Sequence, residues 1–154
     1  MSNASRDLDI VLLGATGFVG RLTARPLARH APDGTRIALA GRSRRRLEAL
    51  ATDLGVDWPL LLVDTADSES VERMARATSV VVTTVGPYLR HSLPVVAACA
   101  DAGTHYADLS GETAFVAESV HRFDRTARDR GARIVHSCGF DSVPSDLAVG
   151  LAHR

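Results

Sequence analysis

A chain of 154 residues, 45% hydrophobic and 23% charged, is long enough for one domain with a real core. Eighteen basic residues balance eighteen acidic ones, so the formal net charge is zero and a broad electrostatic grip on nucleic acid is not expected. All the basic side chains are arginine, which excludes a Schiff-base lysine, a Walker A lysine and a Tyr-x-x-x-Lys proton relay within this chain.

The first seven residues are polar, carry no signal-peptide core and are expected to be flexible. From residue 8 onward, short apolar runs alternate with amphipathic stretches. The runs are "DIVLLG" (9–14), "RIALAG" (36–41), "PLLLVD" (59–64), "SVVVTTVG" (79–86), "THYADL" (104–109) and "ARIVHSC" (132–138). Each reads as a parallel strand buried on both faces. Segments 18–30, 43–54, 67–77, 91–102 and 113–130 read as helices; in the last, Phe115, Val116, Val120, Phe123 and Ala127 recur at helical spacing. Strands alternating with helices of this length predict a doubly wound parallel α/β sheet of about six strands with helices on both faces, the Rossmann fold. A last helix is expected after Pro144, with Ser142 or Ser145 as its cap and Asp146 in its first turn. It is cut short by the end of the sequence, so a domain at 8–154 followed by a substrate domain outside this chain is expected. No apolar run approaches the roughly 20 residues needed to span a bilayer. Cys99 and Cys138 form no CxxC pair, so the default compartment is reducing, the cytoplasm.

The chemistry gathers at the strand ends. Gly14-x-x-Gly17-x-x-Gly20 follows the first strand and opens the first helix, as a dinucleotide fingerprint does. Gly14 permits the tight turn, Gly17 lets backbone approach a pyrophosphate, and Gly20 lets helix pack on strand. Backbone N–H groups from Thr16 through Phe18 to Val19 then face the phosphates with the helix dipole behind them. The competing reading is a tight turn with no ligand. At the second strand end an NAD site wants a carboxylate for the ribose 2′-hydroxyl. Here the sequence is Ala40-Gly-Arg-Ser-Arg-Arg-Arg46. Arg42 and Arg44, with the Ser43 hydroxyl, suit a 2′-phosphate, so NADP is favoured over NAD. Asp64 ends the third strand, where it either approaches the adenine edge or serves as a turn residue. Thr84, Val85, Gly86 and Pro87 follow the fourth strand and are expected along the ribose and nicotinamide. Tyr88 has Ser92, not lysine, four residues on, so it is read as a packing or substrate-wall residue. Asp108, Ser110, Glu112, Cys138, Asp141 and Ser142 lie beyond the last two strands, either facing a substrate or, as helix caps and a small core thiol, structural. No catalytic residue is assigned. His30, His91, His105, His121 and His136 show no metal-ligand spacing, and no metal is expected.

"DIVLLGATGFVGRLTARPLA", "ALAGRSRRRLEAL", "TTVGPYLRHSLPVVAACADAGTHYADLSGE" and "CGFDSVPSDLAV" together resemble the N-terminal domain of saccharopine dehydrogenase-like oxidoreductases. Within that family they are most similar to the actinobacterial branch that includes trans-acting enoyl reductases of lipid and polyketide assembly. The resemblance runs from about Asp9 to Leu151. It implies an NAD(P)-binding Rossmann domain followed by a larger substrate domain. It places the cofactor loop on Gly14, Ala15, Thr16, Gly17, Phe18 and Val19, the ribose-phosphate site on Arg42 and Ser43, and the nicotinamide-side loop on Thr84 to Pro87. The activity expected is hydride transfer to or from a C=C or C=N bond. The expected partners are a small-molecule or acyl substrate, a second copy in a homodimer, and lipid or polyketide synthesis machinery. A redox sensor that holds NADP without turnover and a short-chain-type epimerase or dehydratase are the rival readings.

Overall fold

The computed structural model describes residues 6–153. Most of the stretch expected to be flexible, residues 1–5, lies outside the described residues. The Arg6 guanidinium donates to the carbonyls of Ala75, Thr78 and Ala102.

The elements in chain order are β1 (Leu8–Leu13), α1 (Phe18–His30), β2 (Ile37–Gly41), α2 (Arg44–Leu54), β3 (Leu60–Leu62), α3 (Ser68–Ala77), β4 (Thr78–Thr83), α4 (Tyr88–His91), α5 (Leu93–Ala102), β5 (His105–Asp108), α6 (Thr113–Arg130), β6 (Ile134–Val135) and α7 (Val143–Ala152). The strands form one parallel sheet in the order β3-β2-β1-β4-β5-β6. The direction of winding reverses between β1 and β4, which pair from Leu8↔Thr78 to Leu13↔Thr83. The doubly wound Rossmann fold expected from the sequence is therefore present.

Alternation along β1 and β2 feeds two cores. Val11, Leu13, Ala38 and Ala40 point to one face, where α3, α5 and α6 supply Val71, Met74, Val95, Val96, Cys99 and Phe115. Leu12 and Leu39 point to the other, where α1 and α2 supply Ala24, Leu47 and Leu50. Burial on both faces explains why these strands read as continuous apolar runs.

Four elements differ from expectation. The fourth run leaves the sheet at Thr83, so residues 84–87 form a loop above the sheet edge. The helix expected at 91–102 is two: buried Ser92 ends α4 and donates through Oγ to the Val85 carbonyl at 3.1 Å, and Pro94 starts α5 afresh. The last strand has only Ile134–Val135, because His136 is drawn to Asp108 and Ser137 takes a φ of 60°. The final helix begins at Val143, one residue before Pro144. Ser142 occupies its cap position without a side-chain capping bond, and Ser145 Oγ instead donates back to the Asp141 carbonyl at 3.3 Å. Every described residue from Val143 on is exposed, including Leu147, Val149 and Leu151. Among the described residues no helix is long and apolar enough to cross a membrane.

Candidate functional site

A cleft of about 440 Å³ opens over the carboxyl ends of the strands at the β1/β4 switch point. That is where open α/β sheets bind ligands. Its floor is the turn from β1 into α1. Gly14 has φ 81°, and a Cβ there would sit 2.7 Å from Val85 Cγ2 and 2.9 Å from Thr84 Oγ1. Gly20 packs its helix directly on the turn: a Cβ would lie 2.1 Å from the Gly14 carbonyl oxygen. Gly17 is looser, with only the Gly14 oxygen at 3.3 Å from a built Cβ. It is also the N-cap of α1 and has no side chain to cap it. The first-turn amides of α1 therefore keep their donors for an anion. Arg21 Nε holds the turn from behind by donating to the Thr16 carbonyl at 3.3 Å.

Thr84 closes the turn from the opposite side. Its N–H donates to the Leu13 carbonyl at 3.0 Å, and its Oγ1 lies 3.2 Å from the Gly14 carbonyl. The loop beyond it is fixed at several points. Val85 N–H donates to Thr83 Oγ1 at 3.2 Å, and the Gly86–Pro87 peptide is cis.

At the other end, Arg42 and Arg46 both line the cleft. Arg42 lies just before the Ser43 N-cap and Arg46 in the first turn of α2. No acidic residue occupies the first turn of α2, and the Ser43 hydroxyl at its N-cap makes no capping bond. Arg44 faces the opposite way, over a groove beside β3 and Met74. The cationic pair is thus Arg42 with Arg46 rather than Arg42 with Arg44. Arg46 belongs to the arginine run 42–46 visible in the sequence, but no helical spacing links it to Arg42, which lies before the helix. Asp64 also lines the cleft, but its Oδ1 accepts the Ala66 amide at 3.0 Å, as a turn aspartate does.

Of the other expected site residues, Gly14, Thr16, Gly17, Thr84, Val85 and Gly86 line the cleft. Ala15 is buried beneath it, Phe18 is 82% exposed on α1, Val19 lies beside it, and Pro87 follows the cleft loop. His91, one turn into α4, forms part of the wall and was not anticipated.

Beyond β5 and β6 a second polar cluster is tightly built. Asp108 Oδ2 lies 2.7 Å from His136 Nδ1, and Oδ1 accepts the amides of Ser110 at 2.9 Å and Ser137 at 3.1 Å. Burial alone would raise the Asp108 carboxyl; the hydrogen bonds from His136 and the two amides outweigh it and hold the group below its ordinary value. His136 Nε2 meets Ser119 Oγ at 3.0 Å, and the ring lies edge-on to Phe115 at 5.0 Å. Tyr88 is buried against Phe115, and burial pushes its hydroxyl up to about 12. It is a packing residue. Ser110 caps the turn before α6 by accepting the Glu112 amide at 3.0 Å. Cys138, one reading of which was a core thiol, is exposed instead, because the chain has already turned away from the sheet at Ser137.

Residues 10–135 match the family model of the saccharopine dehydrogenase NADP binding domain. The chain belongs to that family. It is 54% identical over 157 residues to a trans-acting enoyl reductase of Mycobacterium tuberculosis, covering 100% of this chain and 37% of that protein. A trans-acting enoyl reductase of Mycobacterium ulcerans is 52% identical over 157 residues, with 100% and 37% covered. The chain therefore spans about 37% of the length of these relatives. Among solved structures, apo saccharopine dehydrogenase (L-Glu forming) from Saccharomyces cerevisiae superposes with a TM-score of 0.70 at 21% identity, over 88% of this chain and 28% of that one. The Citrobacter triphenylmethane reductase complexed with NADP(H) gives 0.63 at 23% identity, over 84% and 48%. Both share the fold. The cleft fits the family's cofactor on its own geometry: a glycine turn with open helix amides for a pyrophosphate, and two guanidinium groups where a 2′-phosphate would stand.

Proposed function

We propose that this chain binds NADP(H) across the β1/β4 cleft and forms the nucleotide half of a reductase acting on a C=C or C=N bond. The observation that carries the reading is the pairing of Arg42 with Arg46 at the mouth of a cleft floored by the glycine turn. Gly14, Thr16 and Gly17, with the first amides of α1, would hold the pyrophosphate. Arg42, Arg46 and the Ser43 hydroxyl would hold the 2′-phosphate. Thr84 to Pro87 would line the nicotinamide side. The cofactor when bound supplies the hydride; this chain orients it and keeps water from its buried edge.

The relatives are named trans-acting enoyl reductases, which supports an enoyl reductase working in trans; an acyl substrate and lipid or polyketide synthesis machinery as partner belong to the same proposal. Substrate binding would then fall to polypeptide beyond this domain, with a homodimer as the assembly. The two cysteines, both free thiols, fit a cytoplasmic setting. Calorimetric titration of this chain with NADPH and NADH tests the reading: NADPH binds at least tenfold tighter if the arginines read the phosphate, and equal affinity or no binding of either overturns it.

A further inference from the structure

The loop on the nicotinamide side of the cleft is held from within by Thr83 and Ser92, and at its start by Thr84, which reaches back to the Gly14 carbonyl. A further hold comes from downstream, beyond β5. Glu112, at the start of α6, spends both carboxylate oxygens on α4: Oε1 accepts the Tyr88 amide at 2.7 Å and Oε2 the Leu89 amide at 3.0 Å. Binding two successive amides fixes both the position and the tilt of the peptide that follows Pro87. Proline has no amide hydrogen, so Tyr88 is the first residue after Gly86 at which such a grip is available. α4 also carries His91 into the cleft wall. Glu112 itself is anchored. Its N–H donates to Ser110 Oγ, the Ser110 N–H to Asp108, and the Ser110 carbonyl accepts from Ser137 Oγ at 2.7 Å. A continuous polar chain thus runs from the cleft loop to the β5 and β6 edge of the sheet.

We propose that Glu112 is a positioning residue for the nicotinamide end of the cleft, holding the Gly86–Leu89 segment through its two-amide grip. The proposal rests on the reading that the cleft takes NADP(H) with its nicotinamide beside Thr84 to Pro87. It separates the cleft into two halves: a 2′-phosphate half set by Arg42 and Arg46, and a nicotinamide half set by Glu112.

The test compares two ligands. NADPH spans both halves, whereas adenosine 2′,5′-bisphosphate reaches only the first. In Glu112→Ala, NADPH affinity is expected to fall about tenfold, the effect of losing charge-assisted hydrogen bonds, while the bisphosphate binds as before. Glu112→Gln keeps acceptor capacity on one oxygen and is expected to lose less, about threefold, with its fold preserved. Amide exchange at Leu89 in the ligand-free protein should accelerate in the same order. Unchanged NADPH affinity in both variants, or an equal loss of both ligands, overturns the role of Glu112. Binding of the bisphosphate but not NADPH by the unaltered chain overturns it as well and leaves the 2′-phosphate site standing. Failure of the unaltered chain to bind either ligand sinks the cofactor reading itself.

Discussion

The carboxylate of Asp108 and the imidazole of His136 meet at 2.7 Å, with side-chain exposures of 0% and 9%. This pair ties the end of β5 to the segment that follows β6, just past the two residues at which the sheet pairing ends. Asp108→Ala leaves His136 and two amides without their acceptor, and is expected to destabilise the domain by roughly 1–3 kcal/mol for each buried group left unpartnered. Urea denaturation measures it; a loss below about 1 kcal/mol would show the pair to be incidental.

The same carboxyl gives a pH dependence of definite sign. Its folded-state value lies below the ordinary one, so its contribution is complete above the ordinary carboxylate range of about 4 and is lost as pH falls through the lowered value. Asp9, held down to about 2 chiefly by its hydrogen bonds from Arg36, behaves in the same direction. The urea midpoint should be level from neutral pH to about 5 and then drop. Asp108→Asn should flatten that drop, and an unchanged profile in the variant would contradict the assignment.

The glycines of the turn should separate under substitution. Gly20→Ala drives a methyl against the Gly14 carbonyl and is expected to cost about 3 kcal/mol of stability or more. Gly17→Ala meets one atom at 3.3 Å and should keep the melting temperature within about 3 °C while lowering NADPH affinity tenfold or more, because the new methyl occupies the phosphate approach. Thermal melts and titration on the two variants distinguish a turn built for a ligand from one built only for packing.

Arg42→Ala and Arg46→Ala should each weaken NADPH by about 1.5–3 kcal/mol, the value of a hydrogen bond to a charged group, and leave NADH unchanged. Arg44→Ala is the internal control, since its side chain lies over the other groove. A larger loss for Arg44 than for Arg46 would return the phosphate contact to the residue that sequence alone favoured.

The thiols differ in access. Cys138 is exposed, although desolvation still lifts its value, so it should alkylate slowly at neutral pH and faster as pH rises. Cys99 is buried, with burial pushing it up to about 12, and should react only on unfolding. Mass spectrometry of native and denatured samples after alkylation reads both.

The strand–helix alternation, the six-stranded sheet and the cleft at the glycine turn were all legible from residue order, because burial on both faces writes itself as apolar runs and turns demand glycine. Arg46 was missed for a geometric reason: Arg42 stands in the bend before the Ser43 N-cap, and which arginine of α2 turns toward the cleft depends on how the helix leaves that bend. The short β6 was missed because a tertiary contact, Asp108 with His136, ends it, and nothing local to "ARIVHSC" signals that. The grip of Glu112 on α4 spans 24 residues and depends on how α6 sits against the sheet, so no local pattern contains it.

Thr84 and Gly14 touch although they stand 70 positions apart in the chain. The central pair β1/β4 therefore closes a long loop, and contacts of that kind form late and set the pace of folding. The nicotinamide half of the crevice does not exist until they meet. On a chain in which only β1 to β3 have assembled, a dinucleotide could touch the glycine turn and the arginines but not the loop after β4, so the share of its binding energy that the loop supplies falls on the completed state. At a hundredfold excess over Kd the completed state gains about 2.7 kcal/mol in all. The nucleotide should accordingly slow unfolding far more than it speeds refolding, and act in the cell as a lock on finished molecules rather than a template for forming ones.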